Sequence, residues 1–206
     1  MIGYGFATRY LVGLGMAGLG LVSYKWIGEA TLDRAQLDLL TPLDTAIPFM
    51  PWTVWLYLPL FVFNFHFAIW SIEDRQAFAR TVVSLLIGWT IAYSVFWLWP
   101  AAYPRPPLAN DESWSTDMLS FLHGFDPATN TFPSLHVVDM GCVALGAWRD
   151  NDRRGRWVLV SAVLPALSIL TTKQHFLADL VAGAGLAVVS HGLAFRGFRG
   201  SMRATR

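Results

Sequence analysis

An all-α integral membrane bundle of six transmembrane helices, with short interfacial helices on the extracytoplasmic side, is the fold class that the sequence predicts. Three observations predict it. The 206-residue chain is 54% hydrophobic and only 14% charged, too apolar for a soluble domain of this size. Its apolar residues gather into six runs, most of them near the roughly 20 residues a helix needs to cross hydrocarbon. Its basic residues divide unequally between the connections that join those runs. The runs must be helical, because an open strand cannot satisfy its backbone in lipid.

The first run, residues 6–24, is flanked by Arg9 and Lys25. It is longer than a typical signal core and lacks a convincing cleavage site, so it reads as an anchor. Its "GLGMAG", residues 13–18, matches a dinucleotide fingerprint letter for letter, but no strand precedes it, and glycine that packs closely in a membrane helix explains it. The second run, 51–70, carries His66 beside Asn64 in "FNFHF", and His66 is expected to hydrogen-bond between helices. The third is 80–99; the fourth and fifth, 134–148 and 157–172, are short, so their ends should be embedded against neighbours; the sixth is 175–195. Cys142 is the single cysteine, which excludes an internal disulfide framework. Nothing divides the chain, and residues 1–206 read as one domain.

With six crossings, both termini share a side with the connections at 71–79 and 149–156. That side holds Arg9, Arg75, Arg80, Arg149, Arg153, Arg154, Arg156, Arg196, Arg199, Arg203 and Arg206, eleven cations, against Lys25, Arg34, Arg105 and Lys173 on the other. The bias makes the protein multi-pass with cytoplasmic termini. The longer connections, 25–50 and 100–133, then face the periplasm, extracellular space or a lumen. Within them "TLDRAQLDLL" and "SWSTDMLSFLHGF" each put apolar residues on one face, as short helices lying on the membrane would. Trp52, Trp55, Trp97, Trp99 and Tyr103 fit an interfacial belt at that side. The arginine run "RDNDRRGR", 149–156, is explained by topology and anionic headgroups rather than by nucleic acid, and no phosphate-loop motif is present.

Ionisable groups within membrane spans are costly and usually functional. His175 and Asp179, in "TTKQHFLAD", are four apart, so the carboxylate can hold one imidazole nitrogen protonated and leave the other free as a nucleophile. Ser134 begins the fourth run, where a hydroxyl and unpaired N–H groups suit an anion, and His136 follows within a turn. Arg105 and Lys173 stand at the same side. The set is a cationic, donor-rich pocket for a phosphate ester with an apolar tail: His175 attacks phosphorus, Asp179 holds it, Arg105, Lys173 and Ser134 neutralise the phosphate oxygens, and His136 protonates the departing alkoxide. Asp139, one turn after His136, reads as a buried partner that orients His136 or receives an acceptor alcohol.

At these residues the sequence resembles the type 2 phosphatidic acid phosphatase superfamily, whose pattern is KxxxxxxRP, PSxH and SRxxxxxHxxxD. Arg105 and Pro106 stand for RP, residues 133–136 are "PSLH", and the last motif ends in His175 and Asp179. Leu98 and Ile169 occupy the positions of the family's other Lys and Arg, although Ser168 is in place. The wording of "PSLH" and "TKQHFLAD" is similar to the branch of aureobasidin-sensitive inositol phosphorylceramide synthases and their bacterial relatives. The resemblance implies His175 as nucleophile, Asp179 as its orienter, His136 as general acid, and Arg105 and Ser134 as phosphate contacts; Lys173 has no counterpart in the pattern.

The expectation is a lipid phosphatase working through phosphohistidine, with no metal and no cofactor, whose partners are a lipid phosphate substrate and the bilayer. Its rivals are transfer of a phospho-alcohol headgroup between lipids, a divalent-ion site built from two His and two Asp, and a carrier that binds phospholipid without cleaving it. The lipid and the oligomeric state stay open.

Overall fold

The computed structural model describes residues 5–109 and 113–196; Arg199, Arg203 and Arg206, counted above with the cytoplasmic cations, lie outside the described residues. Within them the chain is all-helical, with helices α1 (Phe6–Ala30), α2 (Pro42–Ala46), α3 (Val54–Ser71), α4 (Arg75–Leu98), α5 (Trp114–Phe125), α6 (Leu135–Asp150), α7 (Asp152–Thr171) and α8 (Leu177–Ala194), and a 3-10 turn at Pro51–Thr53. Five helical stretches are long and apolar enough to cross a membrane: Phe6–Ala30, Pro51–Ser71, Arg75–Leu98, Asp152–Thr171 and Leu177–Ala194.

The sixth long element, α6, has 16 residues, about 24 Å at 1.5 Å per residue against a hydrocarbon core of roughly 30 Å. It lies at the centre, packed against α3, α4, α7 and α8, and Val138, Cys142, Val143 and Ala147 on it have no exposed surface. Glycines make this close approach possible. A Cβ on Gly141 would come within 2.5 Å of the Ala187 methyl on α8, so only that small side chain separates the two backbones. The outer helices keep large apolar side chains on the surface, as Leu11, Phe63, Val160 and Val181 show.

Arginines gather one end of the bundle. Arg9 Nη1 donates to the carbonyls of Trp70 (3.0 Å) and Ile72 (2.7 Å), and Arg80 Nη1 to that of Ala194 (2.7 Å). Arg154 donates to the Ser71 carbonyl and pairs with Asp150 (3.2 Å) and Glu73 (3.3 Å). Residues at the start of α1, the α3–α4 turn, the α6–α7 turn and the end of α8 therefore share that end, and α6 runs from it to the other.

The structure corrects one expected helix. Residues 31–40 form turns and extended chain, because α1 continues past residue 24 to Ala30 and the chain is then drawn outward. Leu37 N–H donates to the Pro100 carbonyl (2.8 Å), and Leu37 and Ala101 pair as a bridge, so the backbone finds partners outside any helix. The second expected helix forms as α5. It has two apolar faces: Leu119 and Leu122 are buried against Val54 and Tyr57, whereas Trp114 and Phe121 are exposed. Tyr103 departs from the proposed belt, since it is buried against Phe176 with ring centroids 4.7 Å apart; Trp52, Trp55, Trp97 and Trp99 are exposed.

Candidate active site

The α7–α8 turn sets the site. Helix α7 ends with Gln174 N–H on the Ile169 carbonyl (3.0 Å) and Lys173 N–H on that of Leu170 (3.2 Å), the two bonds of a Schellman ending. Lys173 takes the left-handed residue of that ending, φ 56°, a position that glycine usually fills and that costs other residues about 1 kcal/mol or more. What retains a lysine is its ammonium, which reaches the carbonyls of Asp44 (2.6 Å) and Ile47 (2.5 Å). Asp44 reciprocates. Its carboxylate accepts from Thr41 N–H (2.9 Å) and from Leu177 N–H at the start of α8 (2.6 Å). Burial raises the Asp44 carboxyl, but the bonds from Thr41 and Leu177 and the nearby Lys173 outweigh it and hold the group below its ordinary value. Burial lowers the Lys173 ammonium, opposed by Asp44. Residues 41–47 thus clasp the turn that presents His175.

His175 precedes Phe176, the N-cap of α8, so it lies just outside the helix rather than in its first turn. Asp179 still reaches it because that residue bends back over the helix start: Asp179 Oδ2 accepts from Phe176 N–H (2.9 Å) and lies 3.0 Å from His175 Nδ1. The Thr131 carbonyl lies 3.0 Å from the same nitrogen. Two acceptors around Nδ1 place the hydrogen there, leaving the Nε2 lone pair free. Asp179 also ties this turn to α6, its carbonyl accepting from Ser134 N–H (3.1 Å). Gly183 permits that contact, since a Cβ there would stand 2.7 Å from the Ser134 carbonyl.

Ser134 is the N-cap of α6, with its hydroxyl outside any capping bond; Oγ is buried and has no partner among the described residues. A hydroxyl in that state, beside the first-turn N–H groups that have no intrahelical acceptor, is a donor set for an anion. His136 stands edge-on to His175, ring centroids 5.6 Å apart, and between the rings of Tyr57 (5.1 Å) and Phe61 (4.7 Å). Its Nε2 shares a 2.6 Å hydrogen bond with the Tyr57 hydroxyl. From His136 a cavity of about 250 Å³ extends between α1, α3 and α4. Leu21 and Val62, both exposed on the outer faces of α1 and α3, line it.

Arg105 is tied to the end of α5. Nη1 donates to the carbonyls of Asp126 (3.1 Å) and His123 (3.4 Å), and Nη2 to Asp126 Oδ2 (3.0 Å). One N–H of Nη2 and that of Nε have no partner among the described residues. Tyr24 donates to Asp126 Oδ1 (2.6 Å). Burial raises the Asp126 carboxyl, against the pull of Arg105, Tyr24 and His175, so this one group feels both the guanidinium and the His175 ring. Burial, with Arg105 adding, pushes His123 down to about 4, which suits the 3.0 Å contact in which Gln174 Nε2 donates to it.

Not every expected residue falls at the pair. Lys173 is engaged by the Asp44 and Ile47 carbonyls, as above. Asp139 Oδ1 accepts from the Trp89 indole (2.6 Å) rather than from His136. His66 Nδ1 bonds the Val62 carbonyl of its own helix (2.8 Å), while Asn64 and Ser161 form the link between α3 and α7 (2.9 Å). Leu98 is exposed and Ile169 fully buried, so neither position has a polar substitute for the missing cation. Gly13 abuts Trp70, but Gly15 and Gly18 meet nothing within 4 Å, so close packing explains only the first of the three. Among the described residues no group of three or more His, Cys, Asp or Glu side chains is placed to hold a metal ion. Sequence reasoning passed over Tyr57, Asp126, Tyr24 and Asp44. Only Asp44 had a local signal, the Thr41-Pro42-Leu43-Asp44 capping box.

The helical bundle thus sets a carboxylate-held histidine beside a second histidine, at the start of a buried helix. A family model described as PAP2 superfamily matches residues 38–193, and the chain belongs to that superfamily, whose members are phosphoesterases. No curated protein and no solved structure matches it.

Proposed function

We propose that the protein is a multi-pass membrane enzyme that cleaves a lipid phosphate ester at the extracytoplasmic face through phosphohistidine. In this reading α6 is a sixth crossing, embedded among its neighbours, and the arginine-rich end with both termini is cytoplasmic. His175 Nε2 attacks phosphorus and the bond from phosphorus to the lipid oxygen breaks. His136 gives that oxygen its proton. Water then attacks the phosphohistidine, its proton passing to His136, and the P–N bond breaks to release phosphate. The free N–H groups of Arg105, the Ser134 hydroxyl and the first turn of α6 bind the phosphoryl oxygens as charge builds. Lys173 and Asp44 act as positioning residues for the turn.

The observation that carries this reading is the fixing of His175 Nδ1 by Asp179 and the Thr131 carbonyl, both at 3.0 Å, with His136 edge-on to the ring. Purified protein incubated with labelled lipid phosphates should release free phosphate, still do so after exhaustive chelation, and stop in His175→Ala. Label on an added lipid alcohol instead would select headgroup transfer, the chemistry of the synthase branch. Equal turnover by His175→Ala would overturn the proposal.

A further inference from the structure

The cavity beside His136 is apolar apart from a few atoms, and most of those are engaged. The Tyr24 hydroxyl is held by Asp126 (2.6 Å), the Tyr57 hydroxyl by His136 (2.6 Å), and Asp126 Oδ2 by Arg105 (3.0 Å). Asp139 differs. It is 8% exposed and lines the cavity. The Trp89 indole serves Oδ1, whereas Oδ2 has no hydrogen-bond partner among the described residues. A carboxylate oxygen in an apolar chamber is costly to leave without a donor. A group that enters the chamber would satisfy it.

We propose that Asp139 Oδ2 accepts a hydrogen bond from a hydroxyl on the lipid that occupies this cavity, and so selects lipids with a hydroxyl close to the phosphate ester. The inference rests on the function proposed above and adds the substrate class. Asp139 follows His136 by three residues on α6, about 4.5 Å along the helix axis. If His136 protonates the leaving oxygen, Asp139 meets a group two to three bonds further along the lipid, where a hydroxyl on the neighbouring carbon lies. Trp89 holds the carboxyl in place, and a methyl ether at the same position offers no donor. The hydroxyl could belong to the lipid that carries the phosphate or to an alcohol that accepts it; the chemistry at Oδ2 is the same.

The test uses the full chain and two matched probes: a single-chain alkylglycerol phosphate with a free hydroxyl beside the ester carbon, and its methyl ether. The wild type should favour the hydroxyl probe in kcat/KM by about tenfold or more, as expected when a site built to receive a donor meets an analogue without one. Asp139→Asn retains an oxygen for Trp89 and turns the atom facing the cavity into a donor, so the ratio should fall toward one. Asp139→Leu should do the same, which guards against a rearranged amide. In a second arm, a labelled alkyl phosphate without a hydroxyl serves as donor, and a long-chain 1,2-diol or its 2-O-methyl ether as the acceptor that takes the phosphoryl group while the donor's alcohol leaves. An Asp139-dependent preference in the first arm assigns the hydroxyl to the substrate, and in the second arm to the acceptor. Turnover that His175→Ala abolishes, with no hydroxyl preference in either arm or with a preference that both variants keep, overturns this inference and leaves the proposed function standing. No turnover of any lipid phosphate overturns both.

Discussion

The two ends of the bundle use polar groups in opposite ways. At the arginine-rich end, guanidinium groups close onto carbonyls at helix termini, as Arg9 does with Trp70 and Ile72 and Arg80 with Ala194. At the other end polar groups are held firmly on one side and left open on the other. Among the described residues, His175 is fixed at Nδ1 and free at Nε2, Arg105 is fixed through Nη1 with N–H groups to spare, and the Ser134 hydroxyl is buried with no partner. Structural polar groups in a low-dielectric interior are normally satisfied. Buried atoms without a partner among the described residues occur at the arginine-rich end too, as at Arg9 Nε and His191 Nδ1, so it is the gathering of such groups near His175 and His136 that marks the end where a ligand is expected.

Substitutions at the two ends should separate accordingly. After the complete loss in His175→Ala, the largest effect belongs to His136→Ala, expected to lower kcat for an alkyl phosphate about 10²–10⁴-fold and far less for an aryl phosphate whose leaving group needs no proton; equal losses on both would remove its acid role. Ser134→Ala should lower kcat/KM by roughly tenfold or more, yet leave thermal stability unchanged or slightly raised, because a buried hydroxyl without a partner is removed. A clear loss of stability would place that hydroxyl among the structural groups. At the far end the pattern reverses: Arg154→Ala should cost about 1 kcal/mol of stability and leave turnover within about twofold. A large loss of activity there would blur the contrast between the ends. The smallest effect concerns His123. Its folded value of about 4 lies below the 6.5 of free imidazole, so the unfolded chain binds more protons between them and stability rises with pH across that window. Thermal midpoints measured from pH 4 to 7 should show a shallower rise in His123→Gln.

Local patterns carried much of this into view before the fold. His175 and Asp179 are four residues apart, and their contact depends on one helix start, so spacing alone exposed the pair. The apolar runs marked the long helices, although α1 outran its predicted end and displaced the helix expected at 31–40. What spacing could not reveal was the partner of each charge. Lys173 counts as a cation near the site in any linear reading, yet its acceptors are carbonyls of Asp44 and Ile47, far away in sequence. Asp126 was invisible for the same reason, since its importance comes from Arg105 and Tyr24, on two other segments. His66 and Asn64 sit side by side in one motif, and only packing against α7 decides that Asn64 makes the interhelical bond.

The proposed chemistry requires a covalent bond between phosphorus and His175 Nε2. Brief reaction with a phosphorus-labelled lipid phosphate, rapid quenching and peptide mapping measure it directly. The expected result is an acid-labile, base-stable label on the peptide containing His175, absent in His175→Ala and accumulating when the second step is slowed. Turnover proceeding with no label on that peptide, or with label on another residue, would contradict it.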